Sequence, residues 1–584
     1  MYEYTELGPG QIRLLQIQPD VQDDLLQCSL FNVPLAEAKG IFDALSWTWG
    51  SDSDPTKRLT MPVMVDGRKL DVGSNLWSML NALRSRNFVG SIWIDAICIN
   101  QDKDKAQERN KQIQMMAEIY EVAEEVAIWL GESADDSDYV LETLKVGDSE
   151  AYTTEKFVLG MLALLNRPWW TRTWIAQEFI LNKRAPKILC GQAPSISAEL
   201  VISVWRSDAV REAVSEIVID KALLWNLGPV YWLFHTRQSR HNANTPYLAI
   251  NLRNALMWLK PFYVTEPKDK IYGVLGLIEK ADRDRFESNP GVHTEHTIPR
   301  VFADTAIYLL KYERASTIFY SFPVGRLNGL DAASWVPNFN LEVTASVDSV
   351  VRLGDVTSNH LDNEREDVTF STGDSTHSTL GVRGRILDRS LKVITIGSGT
   401  VSTWDDQNEV IKLLAMPHIL NKIRKAMLDL RAYAQGEQTF SEPLWKTLIA
   451  GDYGSIPAEN DQAGCEQRFN ELMAIPLTDQ MYTFKVLDNL KAEPKILSMI
   501  LRTLTTGRAF FTGRDGYYGL SEPGIENDDI LALLFPDHFV PFILRPVEKG
   551  YEMVGVAYIP GPMLESAIAA IKADRSTLEN FSIV

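Results

Sequence analysis

Three carboxylates and a cluster of tryptophans are the residues whose type and spacing could do chemistry. Asp95 sits inside the apolar run Ser91-Ile92-Trp93-Ile94-Asp95-Ala96-Ile97-Cys98-Ile99, where an ionised group needs partners. It is either a buried acceptor for backbone N–H groups or a member of a site. Glu108 begins a helix, where a carboxylate complements the dipole, so capping accounts for it. Glu178 lies in Trp174-Ile175-Ala176-Gln177-Glu178-Phe179-Ile180-Leu181, one turn after Trp174 on an otherwise apolar helix. That placement is costly unless the charge is paired. Arg167 and Arg172 are nearby in sequence and could be its partners; otherwise Glu178 is a candidate catalytic carboxylate. Eight of the 15 tryptophans fall within residues 41–180, and their area makes most of them core. Trp47 and Trp49 are the exceptions, because they flank Thr48 at the C-terminal end of a strand, where α/β folds bind ligands.

Absences narrow the chemistry further. The chain has no GxGxxG, GxxxxGK[ST], HExxH or GxSxG. Its first histidine is His235, so residues 41–195 can supply neither a Ser-His or Cys-His pair nor an imidazole zinc site. His293 and His296 lie in a polar segment that reads as a solvated loop. Cys28, Cys98, Cys190 and Cys465 are far apart and form no CxxC, so no zinc knuckle or disulfide framework is expected.

The elements that must position these residues follow from hydrophobic patterning. Ile12–Ile17 reads as a pairing strand followed by a loop within residues 1–40. Phe42 to Ser46 is a strand leading to Gly50; Met61–Val65, the Asp66-Gly67 turn and Lys69–Val72 form a hairpin. Asn75–Arg84 is an amphipathic helix, and 91–99 is a nearly continuous apolar strand. Helices follow at Glu108–Glu124, Phe157–Leu165 and about Thr171–Leu181, with strands at Val126–Gly131 and Ala185–Cys190. This alternation predicts an α/β domain with a parallel sheet over 41–195. Residues 196–377 are a helix-rich middle region. Short strands in 378–400 and 506–565 predict a small C-terminal β-barrel, with 401–505 as a helical insertion. The segments 131–155 and 345–378 read as the soft ones.

At 584 residues the chain is too long for one core, and 45% apolar with 23% charged residues excludes wholesale disorder. A net charge of −19 repels phosphate backbones and anionic membranes, so no nucleic acid partner is expected. The amino terminus has no basic and apolar leader pattern, and Ile530–Leu544 is too short and polar to span a bilayer. A soluble, cytoplasmic protein without a membrane span is the expectation.

Taken in order, Ala44-Leu45-Ser46-Trp47-Thr48-Trp49-Gly50, Trp93-Ile94-Asp95-Ala96-Ile97-Cys98-Ile99-Asn100-Gln101 and Arg167-Pro168-Trp169-Trp170-Thr171-Arg172-Thr173-Trp174-Ile175-Ala176-Gln177-Glu178 closely resemble the HET (heterokaryon incompatibility) domain of filamentous fungi. Glu108 and Met115–Tyr120 match its intervening helix. Pro267-Lys268-Asp269-Lys270-Ile271-Tyr272-Gly273-Val274-Leu275-Gly276-Leu277, Ser334-Trp335-Val336-Pro337 and the stretch from Phe510 to Tyr558 also look like this family, so the resemblance covers most of the chain. Trp47 stands where the family usually has Tyr, and Lys268 where it often has Arg.

The resemblance implies a role in self/non-self recognition and regulated cell death after hyphal fusion, with self-association or an incompatibility partner protein. HET domains are similar to TIR domains, some of which cleave NAD⁺ to nicotinamide and ADP-ribose. It therefore implies a TIR-like (flavodoxin-like) parallel-sheet domain acting as an NAD⁺ nucleosidase, with Glu178 as the catalytic carboxylate. Trp47, Trp49, Gly50 and Asp95 are then the substrate-binding residues, NAD⁺ is a substrate, and neither a cofactor nor a metal is called for. The alternative is a non-catalytic oligomerising adaptor. A Glu178 facing a cleft lined by Trp47 or Trp49 would favour the enzyme; a Glu178 saturated by arginines in a closed core would favour the adaptor.

Overall fold

The computed structural model describes residues 2–18, 25–49, 60–218, 224, 227–241, 250–288, 296–313, 316, 318–325, 329–341, 368–371, 375–395, 509–521, 524–535, 540–559 and 561–584. Gly50, His293, the 401–505 insertion and all of 345–378 except 368–371 and 375–378 lie outside the described residues. The chain divides into two compact units, Met1–Arg285 and Phe286–Val584.

The first unit is built on a nine-stranded sheet: β1 (Gln11–Ile17), β2 (Leu26–Pro34), β3 (Phe42–Ser46), β4 (Thr60–Val65), β5 (Arg68–Gly73), β6 (Ser91–Trp93), β7 (Glu125–Trp129), β8 (Lys187–Leu189) and β9 (Ile196–Ser197), in spatial order β5-β4-β2-β1-β6-β3-β7-β8-β9. It is mixed rather than purely parallel. The central β6-β3-β7-β8 block is parallel, β2 and β4 are parallel, and the β1–β2, β1–β6, β4–β5 and β8–β9 pairs are antiparallel. Strand β3 lies between β6 and β7, and its Ala44, Leu45 and Ser46 are buried, as expected of a central parallel strand.

Helices around this sheet are α1 (Ser74–Ser85), α2 (Asp95–Cys98), α3 (Ala106–Val122), α4 (Ser137–Val146), α5 (Glu155–Leu165), α6 (Ile175–Ile180), α7 (Ala198–Trp205), α8 (Asp208–Ile217), α9 (Gly228–His241), α10 (Leu252–Trp258) and α11 (Asp269–Leu275). On α1 the apolar stripe of Leu76, Met79, Leu80 and Leu83 is buried.

Four expectations need correction. The segment after β1 is not only loop: it contains β2, which pairs antiparallel with β1 from Gln11↔Pro34 to Ile17↔Cys28. The run 91–99 is not one strand. It stops at Trp93, and Asp95–Cys98 forms a helical turn, because the Asp95 Oδ1 accepts the Ala96 N–H at 2.8 Å and Cys98 N donates to Ile94 O at 2.7 Å. A continuous apolar run carries no period that separates these two outcomes. The expected Thr171–Leu181 helix is split into a 3₁₀ turn, Pro168–Thr171, and α6, since Thr173 N donates to Tyr263 O at 3.0 Å and Tyr263 N to Thr171 O at 2.5 Å. Segment 131–155 holds α4 and a 3₁₀ turn, Ala151–Thr153, with Val140, Leu141 and Leu144 of α4 buried.

In the second unit an antiparallel sheet runs β10-β11-β15-β16-β17-β14-β13-β12, from β10 (Thr369–Phe370), β11 (Leu380–Asp388), β12 (Leu391–Thr395), β13 (Ala509–Gly513), β14 (Tyr518–Ser521), β15 (Ile530–Leu534), β16 (Val540–Val547) and β17 (Gly550–Tyr558). Strand β18 (Glu579–Ile583) pairs antiparallel with β11 and meets β17 in parallel at Tyr551↔Ile583. The strands before and after the insertion therefore share one sheet. The terminal 80 residues also contain a helix, Gly561–Ala573, which strand patterning passed over; its Leu564, Ala567, Ile568 and Ile571 pack with Leu531, Leu533 and Ile543.

Candidate active site

Glu178 lies on the first unit's α6 and is 2% exposed. The Ser46 hydroxyl, at the carboxyl end of β3, donates to its Oε2, and the Trp169 indole N–H donates to Ser46 Oγ at 2.8 Å. Burial raises the Glu178 carboxyl from 4.5 to about 7; Arg172 and the Ser46 bond oppose the rise, and Asp95 adds to it. A glutamate so placed is poised between its two protonation states near neutral pH, as acid–base and electrostatic sites require.

The nominated partners are rearranged around it. The Arg172 guanidinium donates to the Trp47 carbonyl. Arg167 is not a partner of Glu178: its guanidinium donates to Leu130 O at 2.9 Å, Glu132 O at 2.7 Å and Ala134 O at 3.2 Å, so it braces the turn after β7. Trp47 is 2% exposed, and its indole N–H donates to Asp95 Oδ1 at 2.8 Å. Asp95 thereby ties β3 to the turn after β6, and it is half-buried at a strand end rather than inside a strand. The Trp49 ring centroid lies 5.0 Å from that of Trp47, and Trp49 is 39% exposed. Beyond it, Asn75 of α1 donates to Thr48 O at 2.7 Å and accepts from the Trp129 indole at 2.8 Å.

Glu178, Trp47, Trp49 and Asp95 thus converge at the carboxyl ends of β3 and β6. Ser46, Trp169 and Asn75 join them without having been singled out from the sequence. The available signal was Ser46 itself, a hydroxyl closing an apolar strand directly before Trp47. Glu108 stands apart: it lies in the first turn of α3, and its Oε1 accepts from the wholly buried Arg13 at 2.7 Å.

Helix α6 is held from several sides. Gln177 Nε2 donates to Gly273 O at 2.8 Å and Tyr272 O at 3.2 Å. At its far end the buried Arg237 of α9 donates to Phe179 O at 2.9 Å and Asn182 O at 2.6 Å, supplying a cation where the last helical carbonyls are unpaired. On α11, burial raises the Asp269 carboxyl to about 6, a rise that the Trp174 side chain, Lys268 and Arg172 oppose and Glu266 adds to.

A cleft of about 550 Å³ opens between α3, α9 and residues 276–283, and contains none of the nominated residues. Among the described residues no group of three or more His, Cys, Asp or Glu could hold a metal, and no helix is long and apolar enough to cross a membrane. Cys28, Cys98 and Cys190 are buried and unpaired by disulfides.

These features define an α/β domain with a buried carboxylate, bonded to the Ser46 hydroxyl that the Trp169 indole also reaches, at the ends of its central parallel strands. The family model for Heterokaryon incompatibility protein (HET) matches residues 42–178, from the first residue of β3 to Glu178, and the chain is similar to fungal HET-domain proteins. It is also 28% identical to Heterokaryon incompatibility protein 6, OR allele, of Neurospora crassa, in an alignment covering 94% of this chain and 93% of that one. No solved structure matches the chain.

Proposed function

We propose that this protein acts in fungal self/non-self recognition and the regulated cell death it triggers, through a TIR-like HET domain that hydrolyses NAD⁺ when assembled with copies of itself or with an incompatibility partner. The observation that carries the catalytic part is Glu178, a buried carboxyl lifted to about 7 at the carboxyl end of β3. Two features support the location. The block β6-β3-β7-β8 has the 2-1-3-4 strand order of flavodoxin-like sheets, and in such sheets ligands bind at the strand ends where the order reverses.

The chemistry fits a histidine-free centre. Nicotinamide in NAD⁺ is a cationic leaving group, so the N-glycosidic bond breaks with its electron pair passing to the ring and no general acid is needed. Water then adds to the sugar carbon and releases a proton, giving ADP-ribose. Glu178 would stabilise the oxocarbenium-like centre. Trp49 offers the exposed ring face for nicotinamide, while Trp47 and Asp95 hold the loop that carries it. Gly50, next to Trp49, stays a proposed substrate contact.

The C-terminal sheet is read as a small barrel, because β18 pairs with both β11 and β17. Cytoplasmic location is part of the same reading.

One observation favours the alternative adaptor: Glu178 and Trp47 are each 2% exposed. In the catalytic reading, assembly opens the Ser46–Glu178 contact. Nicotinamide release from NAD⁺ by concentrated wild-type and Glu178→Ala protein separates the two readings.

A further inference from the structure

Two successive carbonyls and one indole of the segment after β3 are each bonded from a different element. The Arg172 guanidinium, ahead of α6, donates to Trp47 O. Asn75, on α1, donates to Thr48 O at 2.7 Å. The Trp47 indole N–H is accepted at 2.8 Å by Asp95, the first residue of α2. The catalytic reading gives Asn75 no part.

An asparagine near a helix start ordinarily caps it. Asn75 does not: it is the second residue of α1, Gly73 stands at the cap, and no side chain bonds there. Its amide instead joins two other elements. Asn75 Oδ1 accepts the indole N–H of Trp129, the wholly buried last residue of β7, at 2.8 Å, while Nδ2 serves Thr48. An indole only donates and a carbonyl only accepts, so the amide has a single orientation here. Strand β7 is a parallel neighbour of β3, paired with it as far as Ser46↔Ile128. Asn75 thus bridges the end of one strand and the segment leaving the other. Holding Thr48 O fixes the planar peptide that ends at the Trp49 nitrogen, and with it the direction in which the Trp49 side chain leaves the backbone. That ring is 39% exposed and lies tilted by 41° against Trp47.

We infer that Asn75 is a positioning residue: through the Thr48 carbonyl it sets the plane in which Trp49 offers its ring face to a flat cationic ring such as nicotinamide. The inference deepens the catalytic reading and rests on its placing nicotinamide against Trp49, but its test needs no turnover. An aromatic face attracts a cation, and a ring already held in one orientation binds without first being ordered. Were Asn75 present only to satisfy the buried indole of Trp129, any acceptor at position 75 would serve and Trp49 would not respond.

The experiment uses the full chain labelled with 5-fluorotryptophan, the Trp49 fluorine resonance being assigned by its loss in Trp49→Phe. The probe is the 1-methylnicotinamide cation, which carries the ring and charge of the leaving group and has no glycosidic bond to break. Asn75→Asp, at pH 8, keeps an acceptor for the Trp129 indole but has no N–H for Thr48 O. Asn75→Ala removes both bonds and adds no charge. In both variants the Trp49 resonance is expected to move toward that of free 5-fluorotryptophan, as its fixed geometry against Trp47 is lost. The cation is expected to displace the wild-type resonance, and Asn75→Ala to weaken that binding about tenfold. Should Asn75→Ala not fold, the Asn75→Asp resonance decides alone. An unmoved Trp49 resonance in folded Asn75→Asp would overturn the inference. So would a cation that leaves the wild-type resonance in place, or that binds wild type and Asn75→Ala equally. Binding of the cation by a protein that releases no nicotinamide from NAD⁺ would leave the inference standing and remove only the catalytic reading.

Discussion

Glu178 is an expensive residue to keep. Its carboxyl is raised from 4.5 to about 7 mainly by burial, so the folded chain binds that proton more tightly than the unfolded chain does. Stability from this group is full below about 4.5 and is lost as pH rises toward about 7, at a cost on the order of 3 kcal/mol above that window. Glu178→Gln keeps an acceptor for Ser46 and cannot ionise. It is expected to melt above wild type at pH 8, with the gap closing by pH 5, as thermal unfolding at the two values would read. A glutamate serving only as a structural acceptor would instead lose stability on the same replacement at both values. Residues retained at a stability cost are typical of working sites, which is why the sign of this one difference is informative.

Elements are positioned by a few polar ties whose partners are remote in sequence. Arg13 on β1 is wholly buried and donates to Thr5 O, to Cys98 O at 3.1 Å and to Glu108, joining the first strand to α2 and α3. Arg13→Met should destabilise the first unit by about 3 kcal/mol, since it leaves Glu108 without its cation and strands a buried carbonyl; a denaturant midpoint lowered without loss of helix content would show it. These ties explain what could be read beforehand. The order of strands β3, β6 and β7 and the stripe of α1 follow from local patterning, which is a property of neighbouring residues. That Asp95 accepts from Trp47, that Arg172 serves a carbonyl and that Arg167 braces a different turn depend on contacts across 33 to 125 positions, which no local period encodes. Ser46 was missed for the same reason: its role exists only once Trp169 and Glu178 are folded beside it.

At the scale of the molecule, the compact unit reaches Arg285 while the family match stops at Glu178. A chain ending at residue 195 would lack Arg237, Tyr263, Tyr272 and Gly273, all of which contact α6 or the residues leading into it. Residues 1–195 are accordingly expected to show weak exchange protection over 171–181 where residues 1–285 protect it; equal protection in both would argue against the larger unit. The family-matched segment thus shares one compact unit with the helices that follow it, and their side chains and carbonyls bond to α6. The central claim, that its buried glutamate serves NAD⁺ hydrolysis, is tested most directly by nicotinamide release from NAD⁺ at high protein concentration, with wild-type and Glu178→Ala full-length chains compared. Release by wild type, abolished in a folded Glu178→Ala protein, is the predicted result; no release from the assembled wild type, or release that survives the substitution, would contradict it.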